Sequence, residues 1–200
     1  NNWSIGTDTG ENLLDPGDTP NENLQFLLVL SCIMKAVDVH ADLLRQSASC
    51  VGNEHRLGGQ EAPPAIISIC LGDQLESVVD QIVSNADSIQ LLASGKLDSG
   101  VSTVPVLSRD TTDRNRTTPF AFTGNKFEFR MVGSSDSIAD ANVTLNAIVA
   151  EALCDAADVL EQAPDFSSAC SQLIHENMAR HQRIIFNGDG YSDAWVAEAA

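Results

Sequence analysis

The sequence predicts an α+β fold, and three observations predict it. Four stretches, around residues 19–45, 73–82, 140–162 and 167–182, read as helices, most of them through apolar residues recurring at helical spacing. Three short runs rich in aromatic and β-branched residues read as strands: AIISICL (65–71), the Phe120/Phe122 segment and NKFEFR (125–130). The chain of 200 residues, 43% hydrophobic, is long enough to bury a real core and contains no apolar run of the ~18 residues a membrane span needs.

The elements follow in order. Residues 1–18 are rich in Gly, Asn, Asp and Thr, which suits turns around one or two short strands. Thr19, Pro20 and Glu22 fit the N-cap, N1 and N3 positions of a capping box, so a helix is expected from there. In it Leu27, Leu30, Met34, Val37, Ala41 and Leu44 form the packing stripe, and Lys35, Asp38, Asp42 and Arg45 an opposite face expected to be solvated. The three glycines of VGNEHRLGGQE (51–61) predict a mobile loop ending at Pro63-Pro64. After the strand at 65–71, Asp73 and Glu76 are expected to cap a helix with Leu75, Val78, Val79 and Ile82 on one face. A polar connector runs to about residue 108. Beyond the aromatic strands, Leu145, Ile148, Val149, Ala152, Leu153, Ala156 and Leu160 line a long helix that Pro164 ends. A last helix and an irregular tail close the chain.

Charge narrows the function classes. A net charge of −17 repels nucleic acid and anionic membranes, so neither is expected as a partner. Within that acidic background, five of the eleven Lys and Arg residues (Arg109, Arg114, Arg116, Lys126, Arg130) fall within residues 109–130, and Arg56 sits in the other Gly-rich loop. A local cationic cluster suits a small anion, such as a phosphate or carboxylate. The five dispersed cysteines form no C-x-x-C pair and read as reduced core thiols. The opening residues do not read as a signal peptide, the two N-x-T sequons at Asn115 and Asn142 read as chance matches, and the expected compartment is the cytoplasm.

NKFEFR carries the sharpest chemical signal. On a strand, Phe127 and Phe129 share one face while Lys126, Glu128 and Arg130 share the other. A carboxylate between two cations stays ionised, as a Mg²⁺ or Mn²⁺ ligand must, and Arg116 of DRNR can join the group from a neighbouring strand. The same pattern also describes a salt-bridged sheet without chemistry. Arg56 and Glu61, two glycines apart, suit a flap closing over an anion or a plain connector. His55 can be a ligand or an exposed loop residue, and His40, His175 and His181 lack metal-like partners. No Walker A loop and no G-x-G-x-x-G turn is present.

NEHRLGGQEAPPAIIS, DRNRTTPFAFTGNKFEFRMVGSS and the opening NNWSIGTDTG, in that order, resemble glutamine synthetase, in particular its large type III class, and the resemblance runs over nearly the whole chain. It implies ATP-dependent ligation of ammonia to L-glutamate through a γ-glutamyl phosphate, with Mg²⁺ or Mn²⁺, on an antiparallel sheet backed by helices within a ring-forming, dodecameric homo-oligomer. By the same resemblance Glu128 is a metal ligand and Arg130 and Arg56 bind the substrate glutamate. Arg116 faces the transferring phosphate and ATP, Glu61 is the flap glutamate that helps deprotonate ammonia, and Asn2, Ser4 and Lys126 lie along the nucleotide.

The resemblance also implies a division of the chain. Residues 1–165 correspond to the C-terminal half of the catalytic domain, with a class-specific insertion at 72–108, and 166–200 to the start of a helical extension. The family's metal histidine and its other metal glutamates correspond to positions before Asn1, so the chain is expected to be an internal segment, inactive alone. Ala121 stands near the place of a further family arginine, which puts one ATP contact in doubt. Two alternatives remain open: a related ligase that joins glutamate to another amine, and a non-catalytic homologue of the fold.

Overall fold

The computed structural model describes residues 1–58, 62–63, 66–84 and 118–199. Most of the expected 72–108 insertion, from residue 85 on, lies outside them. A four-stranded sheet comprises β1 (Asn2–Trp3), β2 (Ile69–Cys70), β3 (Phe120–Phe122) and β4 (Phe127–Phe129), in the order β1-β4-β3-β2. β4 pairs antiparallel with both β1 and β3, whereas β2 runs parallel to β3. The sheet is therefore mixed, not purely antiparallel as the resemblance implied. Among the described residues of AIISICL, Ile69 and Cys70 form the ladder, and the alternation holds: Ile67, Ile69 and Leu71 enter the core.

Register explains the core. Trp3, Phe127 and Phe122 lie in one row across the strands, and Phe129, Phe120 and Ile69 in the next. Phe120 stacks on Phe127 with centroids 4.4 Å apart and meets Phe129 edge-on at 6.0 Å. All three rings are fully buried. Truncating one such ring costs roughly 3–5 kcal/mol, so this cluster is what holds β3 and β4 in register.

Helix α1 (Leu24–Val39) is the hub of the helical layer. It packs along α5 (Ala139–Glu161) and α6 (Phe166–His181), and Phe26 reaches Phe122 at 5.9 Å. The expected capping box is not used. Thr19–Glu22 form a turn, and the cap is Asn23, whose Oδ1 accepts the Phe26 N–H at 3.0 Å. Asn23 Nδ2 also donates to the carbonyls of Asp15 and Pro16, which fixes it there. The helix breaks at His40, and α2 (Ala41–Ser47) continues in a new direction.

The face of α1 expected to be solvated is partly covered, and Asp42, beyond the end of α1, is exposed. Lys35 pairs with Asp155 at 2.7 Å and His40 with Glu151 at 3.0 Å, both on α5. Asp38 is buried between His181 Nδ1 at 2.7 Å and Arg183 Nε at 2.9 Å. Only Asp38 departs fully from the expected solvated face; Lys35 and Arg45 remain partly exposed and Asp42 is exposed. One core runs from Trp3 through α1 to Cys170, Ile174 and Met178 of α6 and to Ile184.

Two segments expected to be irregular are helical. Val51–Arg56 forms α3, capped by Cys50 Sγ, which accepts the Asn53 N–H at 3.3 Å. The tail forms a 3-10 turn (Gln182–Ile184) and α7 (Asp193–Ala199), with Trp195 packed on Phe186 at 4.9 Å. Between them, Phe186 N–H donates to the Ile69 carbonyl, and Asn187 Oδ1 accepts the Leu71 and Gly72 N–H groups. The tail thereby ties β2 to α4 (Asp73–Ser84), whose Leu75, Val78, Val79 and Ile82 are buried as expected. Asp73 is the first helical residue rather than the cap, because Gly72 supplies the carbonyl for the first turn.

All five cysteines are free; Cys32, Cys70 and Cys170 are buried, Cys50 is half-buried, and Cys154 is exposed on α5 rather than in the core. Burial pushes the Cys32 thiol up from 9.0 to about 11, opposed by the Ser31 hydrogen bond and Lys35. The folded state thus keeps this proton where the unfolded chain loses it, so the associated stability is intact below about pH 9 and lost as the pH rises through 11. Urea unfolding of wild type and Cys32→Ala at pH 8 and pH 11 measures this. The wild type should lose about 2 kcal/mol more than the variant over that interval; equal losses would show that Cys32 does not titrate this way.

Candidate active site

Because Phe127 and Phe129 enter the core, Glu128 between them emerges on the opposite face of the sheet. Its direct neighbours across the ladder are Asn2 on β1 and Ala121 on β3, with Cys70 of β2 beyond. Arg130, one residue past β4, turns back along the same face, and its Nε donates to Glu128 Oε2 at 2.8 Å. The two side chains keep 30% and 12% of their surface exposed, so the pair is half-shielded from water. Glu128 Oε1 has no hydrogen-bond partner among the described residues.

Of the expected row of three charges, only Glu128 and Arg130 are joined by an ion pair among the described residues. β4 begins at Phe127, and Lys126 belongs to the Thr123–Lys126 turn, whose Thr123 N–H donates to the Lys126 carbonyl at 2.8 Å. Gly124 allows that turn with a φ of +96°. Lys126 is exposed there, and no ion pair joins it to Glu128 among the described residues. Asn2 is brought beside Glu128 by register, and Ser4 lies exposed just beyond β1. Helix α5 anchors β1: Asn146 Oδ1 accepts from Trp3 Nε1 at 2.9 Å, and Asn142 Oδ1 from Asn1 Nδ2 at 2.7 Å.

Arg56 is the last residue of α3, and its helix is docked onto the exit of β4. The buried Asn53 side chain donates through Nδ2 to the carbonyls of Ala48 and Met131, each at 2.6 Å. Arg45 grips the same helix through Glu54 at 2.8 Å, and that hydrogen bond holds the Glu54 carboxyl below its ordinary pKa. The backbone of Arg56 is thus tied to the residue that follows Arg130. Asn53 went unnoticed in the sequence, although it opens the NEHR motif, because its burial rests on the Met131 carbonyl 78 residues away. Past α3, Leu57 bridges to Ala62 and the Gly58 N–H donates to the Ala62 and Pro63 carbonyls, so both ends of the predicted flap are held. Glu61 and Arg116, like Arg109 and Arg114, lie outside the described residues.

Chemically, this face offers a carboxylate with one unengaged oxygen beside a guanidinium and an amide. That donor set fits one ligand to a hard divalent cation, with a cation alongside for an anionic substrate. Among the described residues no three His, Cys, Asp or Glu side chains converge, so Glu128 would be a single contributor rather than a complete metal site. His181, expected to be without a role, forms a structural hydrogen bond with Asp38 at 2.7 Å. An open cleft of about 400 Å³ at the start of α1, lined by Glu11, Asn12, Leu13, Asp15, Asn23 and Phe26 among others, contains none of the predicted site residues.

The chain is 52% identical over 198 residues, 98% of its length, to the type-3 glutamine synthetase of Dictyostelium discoideum. The chain belongs to the glutamine synthetase family. Glutamine synthetases of Bacteroides fragilis and Butyrivibrio fibrisolvens are 44% and 43% identical to it over all of its length. Residues 169–200 match the family model described as glutamine synthetase C-terminal domain. The chain spans 27–28% of the length of these relatives.

On the glutamine synthetase sheet, the two cations of the KFEFR motif differ in how they are held, and stability separates them. Arg130→Ala leaves Glu128 half-shielded without its partner and should cost about 1–3 kcal/mol. Lys126→Ala removes an exposed turn side chain and should stay within about 0.5 kcal/mol of wild type. Chemical denaturation of the two variants checks this, and equal effects would mean that Lys126 also supports the Glu128 face.

Proposed function

We propose that this chain supplies one wall of the catalytic centre of an ATP-dependent glutamate–ammonia ligase that works through a γ-glutamyl phosphate. The observation that carries the reading is the 52% identity along essentially the whole chain to a protein named as a type-3 glutamine synthetase. The Glu128–Arg130 pair on the polar face of the sheet supports it with suitable chemistry.

In this reading Glu128 holds one Mg²⁺ or Mn²⁺ through Oε1, and a bound divalent cation offsets the negative charge of the nucleotide phosphates. Arg130 orients the substrate glutamate with its guanidinium, while its Nε keeps the Glu128 carboxylate aimed. Arg56, at the end of the docked α3, is the second cation for the amino acid. Asn2 and Ser4 on the neighbouring strand, with the exposed Lys126, line the nucleotide, and Arg116 offsets charge on the transferring phosphoryl group. Glu61 accepts the proton that ammonia must lose when it displaces phosphate. The ends of its segment, held at Leu57–Ala62, suit a flap that keeps water from the acyl phosphate. A ring-forming homo-oligomer in the cytoplasm, a 1–165 catalytic segment and a 166–200 helical extension belong to the same proposal.

The 2.8 Å contact also favours a second reading, in which Glu128 and Arg130 are only a structural ion pair. Glu128→Gln in the full-length gene product carrying this chain distinguishes them, because it keeps shape and removes charge. As a metal ligand, Glu128 predicts a several-fold higher Mg²⁺ or Mn²⁺ requirement and a loss of most turnover at saturation, with fold and oligomer intact. Wild-type metal dependence accompanied by a lowered melting temperature would leave the pair purely structural.

A further inference from the structure

The polar face of the sheet holds one group that the proposed site does not use. Ser68 directly precedes β2, between Ile67 and Ile69, which both belong to the core. Alternation turns Ser68 to the other face, together with Cys70, Ala121 and Glu128. Extending the β2–β3 and β3–β4 registers by one residue sets Ser68 beside Pro119 and Pro119 beside Arg130. The Arg130 N–H donating to the Pro119 carbonyl at 2.8 Å confirms that extension on the β4 side. Ser68 and Arg130 thus share a row on the candidate face, two strand spacings or about 10 Å apart.

Ser68 is only 5% exposed, yet its Oγ has no hydrogen-bond partner. Burying a hydroxyl unpaired costs about 1–3 kcal/mol, and alanine would fit the same strand position without that cost. Proline at 119, between Ser68 and Arg130, presents no N–H that could engage the hydroxyl. The hydroxyl is therefore a donor held ready on the row that ends in Arg130.

We propose that Ser68 is a further substrate-binding residue, donating its hydroxyl proton to a carboxylate oxygen of the amino-acid substrate whose other end Arg130 engages. This rests on the reading of Arg130 as a glutamate-binding cation. A hydroxyl left unpaired in the empty protein destabilises the free state and is satisfied only on binding, so its removal has opposite effects on stability and affinity.

The test compares Ser68→Ala, Ser68→Cys and Arg130→Lys in the full-length gene product, reading the ligand-free melting temperature and the KM for L-glutamate and for ATP. Ser68→Ala should melt at or above wild type while its KM for glutamate rises roughly 10- to 100-fold, with the KM for ATP within about twofold. Ser68→Cys, of similar size but a weak donor, should follow it, so that a folding defect peculiar to alanine cannot mimic the result. If Arg130→Lys raises the KM for glutamate and neither Ser68 variant does, the Ser68 assignment is overturned while the site stands. A lowered melting temperature with unchanged KM would overturn it too, marking Ser68 as the anchor of a buried water. Should none of the three variants change the KM for glutamate, the reading of this face itself falls.

Discussion

Phe127 and Phe129 set the direction of Glu128, and through it the arrangement of the polar face of the sheet. Side chains on a strand alternate with period two, so burying these two rings against Phe120 and Phe122 leaves Glu128 a single orientation. Slipping β4 by one residue would bury a carboxylate and expose two rings. The same cluster, joined by Trp3, brings β1 beside β4 and hence Asn2 beside Glu128. Core packing and site geometry are two faces of one constraint, which is why a strand of three residues can aim a charged group.

Around that sheet the helices act as supports with polar contacts at their ends. Asn53 fastens α3 to Met131, Asn146 and Asn142 fasten β1 to α5, and Asn187 fastens the tail to the β2–α4 junction. Each amide spans elements distant in sequence and satisfies backbone or side-chain groups that would otherwise be buried unpaired. The seam between α1 and its partners does the same work with Lys35–Asp155, Arg183–Asp38 and the shielded His181–Asp38 hydrogen bond.

Much of this was legible in the sequence because it depends on period alone. The alternation in FEFR, the apolar faces of α4 and α5, and the inward Ile67, Ile69 and Leu71 appear where their spacing puts them. Features that depend on a distant partner were not legible. The capping box at Thr19 lost to Asn23, whose side chain also bonds upstream carbonyls. The glycines of residues 51–61 suggested a loop, but Cys50 and the Asn53 clamp stabilise α3 there. That Lys126 would close the hairpin opposite Thr123 depends on the turn that Gly124 makes possible. The parallel pairing of β2 has no local signature, since its register is set by β3 and by the returning tail. For the site, composition and spacing left a metal carboxylate and a salt bridge equally open, because which one a carboxylate serves depends on ligands from elsewhere; the family resemblance tipped the reading toward the metal.

The central claim is that the aromatic core presents Glu128 to a divalent cation while Arg130 holds its other oxygen. A crystal structure of the full-length gene product with Mn²⁺, recorded for anomalous scattering, examines it directly. The account predicts an anomalous peak within coordination distance of Glu128 Oε1, with the Arg130 Nε contact to Oε2 retained. Manganese bound elsewhere in the protein, with Glu128 engaged only by Arg130, would contradict it.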